Sequence, residues 1–153
     1  MRYWLMKSEP ESFSIDDLKK RPNKTEPWDG VRNYQARNFM RDQMQVGDQV
    51  FFYHSNCDVP GIYGLAEIAS TAYPDPTQFI ENHHHYDATA KPEEPRWMLV
   101  DVRYLRHLKK PISLNLLKEH VEKLQGCPLI MKGNRLSVMP IRPEHWKAIL
   151  ALE

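Results

Sequence analysis

The sequence predicts an α+β chain: a small, curved barrel of mixed or antiparallel strands, with short helices between and after them. Three observations carry this. Strand patterns dominate the middle of the chain, at 49–55, 61–69 and 97–106. They lack the regular β-α-β alternation of a doubly wound sheet. The length of 153 residues fits one domain spanning 1–153, at ~100–200 residues per domain.

The elements follow in order. Residues 3–7 are bulky and mostly apolar and read as a strand that Pro10 ends. Ser14-Ile15-Asp16-Asp17 has the form of a capping box, and Pro22 limits that helix to about two turns. Residues 21–30 hold Pro22, Pro27 and Gly30 and read as a loop containing Trp28. Residues 33–42 read as a helix with Tyr34, Ala36, Phe39 and Met40 on its apolar side. Arg37 and Arg41 are four apart and share a face of it.

Val46-Gly47-Asp48 is a turn into the strand 49–55. There Val50, Phe52 and His54 face one way and Phe51, Tyr53 and Ser55 the other. The next strand, 61–69, contains Gly61 and Gly64, which mark a bulge or a close backbone approach. Four prolines keep 73–96 irregular, as a functional loop rather than a linker. Trp97, Leu99, Asp101 and Arg103 then alternate with Met98, Val100, Val102 and Tyr104. A helix from Ser113 to about Leu124, a strand at 135–141 and a helix opened by Pro143 complete the chain.

Composition narrows the function. Lys plus Arg is 21 and Asp plus Glu is 20, a net charge of +1. That excludes the strongly basic footprint of histone-like binders and leaves room for a local positive patch. Cys57 and Cys127 are far apart and form no C-x-x-C pair, so two reduced thiols are expected. No apolar run is long enough for a signal-peptide core or a membrane span. A cytoplasmic location follows, or a nuclear one in a cell with a nucleus.

No glycine-rich phosphate loop, H-E-x-x-H, G-x-S-x-G or EF-hand pattern is present. No cofactor or catalytic set is expected. His83-His84-His85-Tyr86-Asp87 offers metal-ligand types, but an extended segment turns the middle ring away from the other two. A solvated loop without metal is the expectation. His54-Ser55 with Asp58 has triad residue types, yet strand neighbours point to opposite faces.

The informative pattern is polar residues set among aromatics: Lys7-Ser8 at a strand end, Trp28 in a tight loop, Asn33 beside Tyr34, and Ser55-Asn56 closing another strand. Aromatic faces sandwich a flat heterocycle, and Asn and Ser bond its edge; proteins read an unstacked base this way. Alternatively Trp28 is an ordinary half-buried tryptophan and Asn33 only a helix cap. Lys132 and Arg135 flank a glycine turn and, with Arg37 and Arg41, offer a phosphate patch; solvated surface charge is the plainer reading.

Longer stretches carry a resemblance. Tyr3-Trp4-Leu5-Met6-Lys7-Ser8-Glu9-Pro10, the block from Trp28 through Val31, Asn33 and Tyr34 to Asn38, Phe52-Tyr53-His54-Ser55-Asn56 before Pro60-Gly61-Ile62, and Arg135-Leu136-Ser137-Val138 resemble the EVE-domain family. The resemblance runs from about residue 2 to residue 152. It implies a PUA-like fold related to YTH domains, which bind N6-methyladenine in RNA through an aromatic cage. It implies a reader of modified bases, chiefly modified cytosines in DNA, linked in bacteria to defence and restriction.

Under this resemblance Lys7, Ser8, Trp28, Val31, Asn33, Tyr34, Ser55 and Asn56 belong to a base pocket. The second aromatic wall is left open among Tyr73, Tyr86 and Trp97. Arg37, Arg41, Lys132 and Arg135 would hold phosphates. The expected partner is nucleic acid carrying a modified base, read by a monomer with a possible nuclease or restriction partner. The rival is an enzyme acting on a nucleobase or small heterocycle, with Asp29, Glu9 or His54 as general base.

Overall fold

Alternation within the strands dictates a sheet with two buried faces. In the computed structural model, which describes residues Met1–Glu153, Trp4, Met6, Val50 and Phe52 pack into one core. Their neighbours Leu5, Phe51 and Tyr53 pack into a second core on the opposite face. Each buried Phe or Leu contributes roughly 1.5–3 kcal/mol, so both faces hold the sheet in register.

The strands are β1 (Tyr3–Ser8), β2 (Thr25–Pro27), β3 (Gln49–His54), β4 (Gly61–Ile68), β7 (Asp101–Ser113) and β8 (Val138–Ile141). They form one curled six-stranded half-barrel in the order β2-β7-β4-β3-β1-β8. β1 runs parallel to β3, with Tyr3 opposite Gln49 and Ser8 opposite His54. The other ladders are antiparallel. A separate ribbon pairs β5 (Tyr73–Pro74) with β6 (Met98–Leu99). The β3–β4 register shifts after Phe52. A Cβ on Gly61 or Gly64 would meet Ile112 O at 2.4 Å or Ile15 Cγ1 at 2.7 Å, so only glycine fits these close approaches.

Short helices cover the faces. α1 (Ile15–Lys20) starts at a complete capping box: Ser14 Oγ accepts from Asp17 N at 3.1 Å, and Asp17 Oδ2 accepts from Ser14 N at 2.8 Å. The Ser14 N–H is the main reason that the Asp17 carboxyl lies below its usual range. α1 and α2 (Tyr34–Asn38) close the first core. α3 (Leu114–Glu119) and α4 (Pro143–Leu150) close the second, where the Trp146 ring stacks on Phe51 at 3.7 Å. No helix is long and apolar enough to cross a membrane, and both cysteines are free thiols.

Several elements differ from the sequence expectation. The loop 21–30 contains β2, because Thr25–Pro27 finds its partner in distant Arg103–Asp101. The strand expected at 97–106 breaks where Leu99 and Val100 are both fully buried, so the alternation changes phase. β7 then continues seven residues beyond Arg106 to Ser113, through the exposed Lys109-Lys110-Pro111. The helix at 33–42 is α2 followed by a π-helical turn at Phe39–Gln43. The helix expected to reach Leu124 stops at Glu119, because His120 leaves helical geometry (φ −109°, ψ 32°). The last strand begins at Val138 rather than Arg135.

Candidate nucleic-acid interface

The ends of β1, β2 and β3 open on a basin of about 710 Å³, inside the ~300–1,000 Å³ range of small-ligand sites. Lys7, Ser8, Trp28, Val31, Ser55 and Arg135 all line it. The parallel β1–β3 pairing joins the two serine-bearing ends: Ser55 N donates to Ser8 O at 2.9 Å. Ser8 Oγ donates to Phe13 O at 2.6 Å, leaving its oxygen free to accept. Trp28 is fixed through its N–H to Val100 O at 2.9 Å. Its ring packs edge-on against Phe52 at 5.4 Å and Phe13 at 6.5 Å. At 8% exposure, Trp28 belongs both to the first core and to the basin floor.

Another part of the wall comes from a segment expected to be solvated. The chain at 83–87 is turned rather than extended, and the nitrogens of His83, His84 and His85 lie within 4.8 Å of one another. This corrects the expectation that the middle ring points away. The rings are already engaged with each other and with the chain: His83 and His84 stack at 13°, and His83 Nδ1 accepts from His85 N at 3.0 Å. His84 and His85 face the basin. A Cβ on Gly30 would fall 2.4 Å from His85 Nε2, and Gly30 also needs φ +82°, so only glycine permits this wall. Burial, the largest influence on His85, lowers its pKa and favours the neutral ring.

An ion pair between half-buried Arg32 and buried Asp75 straps that wall to the Trp28 segment. Arg32 Nη1 meets Asp75 Oδ2 at 3.0 Å, and Arg32 Nη2 donates to His85 O at 2.9 Å. Asp75 also accepts from Gly30 N at 2.8 Å and from Thr77 N at 2.8 Å. Burial pushes the Asp75 carboxyl up, but the Thr77, Gly30 and Arg32 donors outweigh it and hold it low. Fully buried Gln78 completes the strap, with its amide bonded to Trp97 O at 2.8 Å and Trp97 N at 2.9 Å. Asp75 and Gln78 escape sequence reasoning, with the D-P-T start at Asp75 as the local signal; His85 is weighed there only as a metal-ligand type in a solvated loop, whereas it lines the basin.

The other expected residues lie elsewhere. Asn33 caps α2, accepting from Ala36 N at 2.9 Å. Tyr34 stacks on Trp97 at 5.0 Å, Arg37 lies 4.8 Å over Tyr34, and Arg32 lies 5.4 Å over Trp97. These four form a ladder beside the basin, anchored by Trp97 Nε1 on Asp87 Oδ2 at 2.8 Å. Tyr73 donates to Asp101 Oδ1 at 2.5 Å, and Tyr86 is an exposed side chain. None of Tyr73, Tyr86 and Trp97 lines the basin, whereas His84 and His85 do. Asn56 Nδ2 donates to Glu9 at 2.6 Å from the basin rim. Arg41 pairs with Asp42 at 2.8 Å, and Lys132 is exposed outside the basin. His54 is buried, its Nε2 accepting from Ile15 N at 3.1 Å.

Charge inside the basin divides into paired and free groups. Arg21 pairs with Glu26 at 3.2 Å, and Arg32 with Asp75. Lys7 and Arg135 have no carboxylate partner. Burial lowers the Lys7 pKa, and its Nζ sits 5.5 Å over the Tyr53 ring. Two free cations beside hydroxyls and an aromatic floor suit a nucleotide, with phosphate on the cations and base on the floor.

The curled sheet with peripheral short helices defines a PUA-like α+β domain. The chain belongs to the EVE-domain family, whose sequence profile matches residues 2–152. It is 49% identical over 166 aligned residues to mouse thymocyte nuclear protein 1, covering 99% of this chain and 73% of that protein. It superposes with TM-score 0.92 and 47% identity on the human THYN1 protein in complex with 5-methylcytosine-containing DNA, covering 99% of this chain and 97% of that one. The YTH domain of Zygosaccharomyces rouxii MRB1, in complex with N6-methyladenosine RNA, shares the fold at TM-score 0.56 and 16% identity, covering 99% and 83%.

Proposed function

We propose that this chain is a non-enzymatic reader of a modified base, a modified cytosine in DNA, received by the basin floored by Trp28. The observation that carries this reading is the human relative, 47% identical and solved with 5-methylcytosine-containing DNA. The basin's own chemistry supports it: an aromatic floor, hydroxyls at the strand ends, and unpaired Lys7 and Arg135. Stacking of a base on the floor supplies roughly 1–3 kcal/mol, and Ser8 and Ser55 are the hydroxyls offered to its edge. One copy engages one base, and any strand cleavage comes from a partner protein.

The test is a polarisation titration of labelled duplexes that differ at one position: cytosine, 5-methylcytosine, 5-hydroxymethylcytosine, adenine or N6-methyladenine. A modified cytosine should bind most tightly, and Trp28→Phe should weaken that preference while the protein stays folded. Equal binding across the panel would overturn the reading.

A further inference from the structure

Three carboxylates line the basin: Glu9, Glu26 and Asp29. Glu9 accepts from Asn56 at 2.6 Å, and Glu26 is paired with Arg21 at 3.2 Å. The Asp29 carboxylate takes part in no hydrogen bond or ion pair, although it directly follows the floor residue Trp28. Arg32, which also lines the basin, is spent on buried Asp75. Burial keeps the imidazole of His85 toward neutrality, outweighing the Asp29 charge, which raises its pKa. A bare negative charge in a basin meant for a polyanion repels phosphate. It is useful there only if it meets a hydrogen-bond donor.

A base offers such a donor in one form. The exocyclic amino group of cytosine donates to a carboxylate, whereas thymine and uracil present a carbonyl oxygen at the same position. We propose that Asp29 is the residue that selects amino-bearing bases, accepting a hydrogen bond from the exocyclic amine of the base on Trp28. This rests on the base-reading function above and adds the edge that is read. It makes the basin a cytosine-class site that refuses thymine even though thymine carries the same ring methyl as 5-methylcytosine.

The experiment compares three duplexes whose test position holds 5-methylcytosine, thymine or an abasic sugar. Each test position lies opposite an abasic site, so no base gives up a pair on leaving the stack. Wild-type protein should bind the 5-methylcytosine duplex about tenfold more tightly than the thymine duplex, the discrimination of one charge-assisted hydrogen bond. Asp29→Asn should bind 5-methylcytosine more weakly and bring the two within about twofold, because a carboxamide can also donate to the thymine oxygen. Asp29 is exposed and unpartnered, so the variant should keep the wild-type circular dichroism and melting temperature. An unchanged preference in Asp29→Asn, or tighter binding of all three duplexes, would overturn the assignment and leave Asp29 as a surface charge. Equal wild-type affinity for 5-methylcytosine and thymine, both above abasic, would overturn it while base reading survives. Wild-type binding no tighter than to the abasic duplex would overturn both.

Discussion

Two neighbouring regions of this domain are built from the same materials and end in different states. In the ladder of Tyr34, Trp97, Arg37 and Arg32 the two rings stack, Arg37 lies against both of them and Arg32 lies over Trp97. Its polar atoms are committed: Trp97 Nε1 to Asp87, Arg37 Nη1 to Arg96 O at 2.8 Å, and Tyr34 Oη to Arg96 Nη1 at 3.0 Å. The basin also sets a tryptophan among arginines and hydroxyls, but Lys7, Arg135 and Asp29 are left without charge partners there. Aromatic residues beside cations do not by themselves mark a binding site. The proposed reading rests instead on unspent donors and acceptors around an aromatic floor.

The sharpest way to break the comparison is to cut the strap joining the two regions. Asp75→Ala should lower stability by roughly 3–5 kcal/mol, because Gly30 N, Thr77 and half-buried Arg32 all lose their buried acceptor, read from urea unfolding. A loss below about 1 kcal/mol would show that Arg32 finds another partner and that the strap is dispensable. Next, Trp28→Ala should cost about 3 kcal/mol through the cavity left in the first core. Tyr34→Ala, at an exposed rung, should cost no more than about 1.5 kcal/mol and leave base preference intact. Equal costs would erase the distinction between floor and ladder.

Acid provides a smaller test aimed at the ladder. The Thr89 hydroxyl, the Trp97 indole and the Thr89 N–H draw the Asp87 carboxyl down to about 2. A depressed folded value means stability that is present above the unfolded value near ~3.9 and lost as pH falls through the folded one. Wild-type stability should therefore decline between about pH 4 and about pH 2, with Asp75 adding to the decline because its folded value is also lowered. Asp87→Asn should flatten part of that slope; an unchanged slope would remove Asp87 as a contributor. The smallest effect is Arg135→Ala: stability within about 0.5 kcal/mol of wild type, with the salt slope of DNA binding reduced by about one. An unaltered slope would take Arg135 off the phosphate.

Local chemistry made much of the fold legible. The Ser14 box, the glycine contacts of β4 and the two faces of β3 are short-range signals, and each is present in the structure. β2 was illegible because Thr25-Glu26-Pro27 becomes a strand only through β7, some 75 residues downstream. The tail of β7 was hidden by its exposed lysines, which show no alternation. The basin was half legible. Lys7, Ser8, Trp28 and Ser55 sit at strand ends or beside one. The His84–His85 wall depends on Asp75 and Arg32 meeting across 43 residues, and no local pattern announces that. Asn33 and Trp97 show the opposite hazard: residue types suited to a pocket, used here to cap a helix and to build a ladder.

The position of β1 has a consequence for how the protein is made. This strand lies between β3 and β8, with Met6 opposite Phe52 on one side and Val138 on the other. β1 therefore leaves the ribosome well over a hundred residues before β8, the strand that completes its second edge. Until then its second edge stays open to mispairing. A sheet closed by such distant partners is expected to form slowly, and the nascent chain must be kept from associating through that edge while it waits.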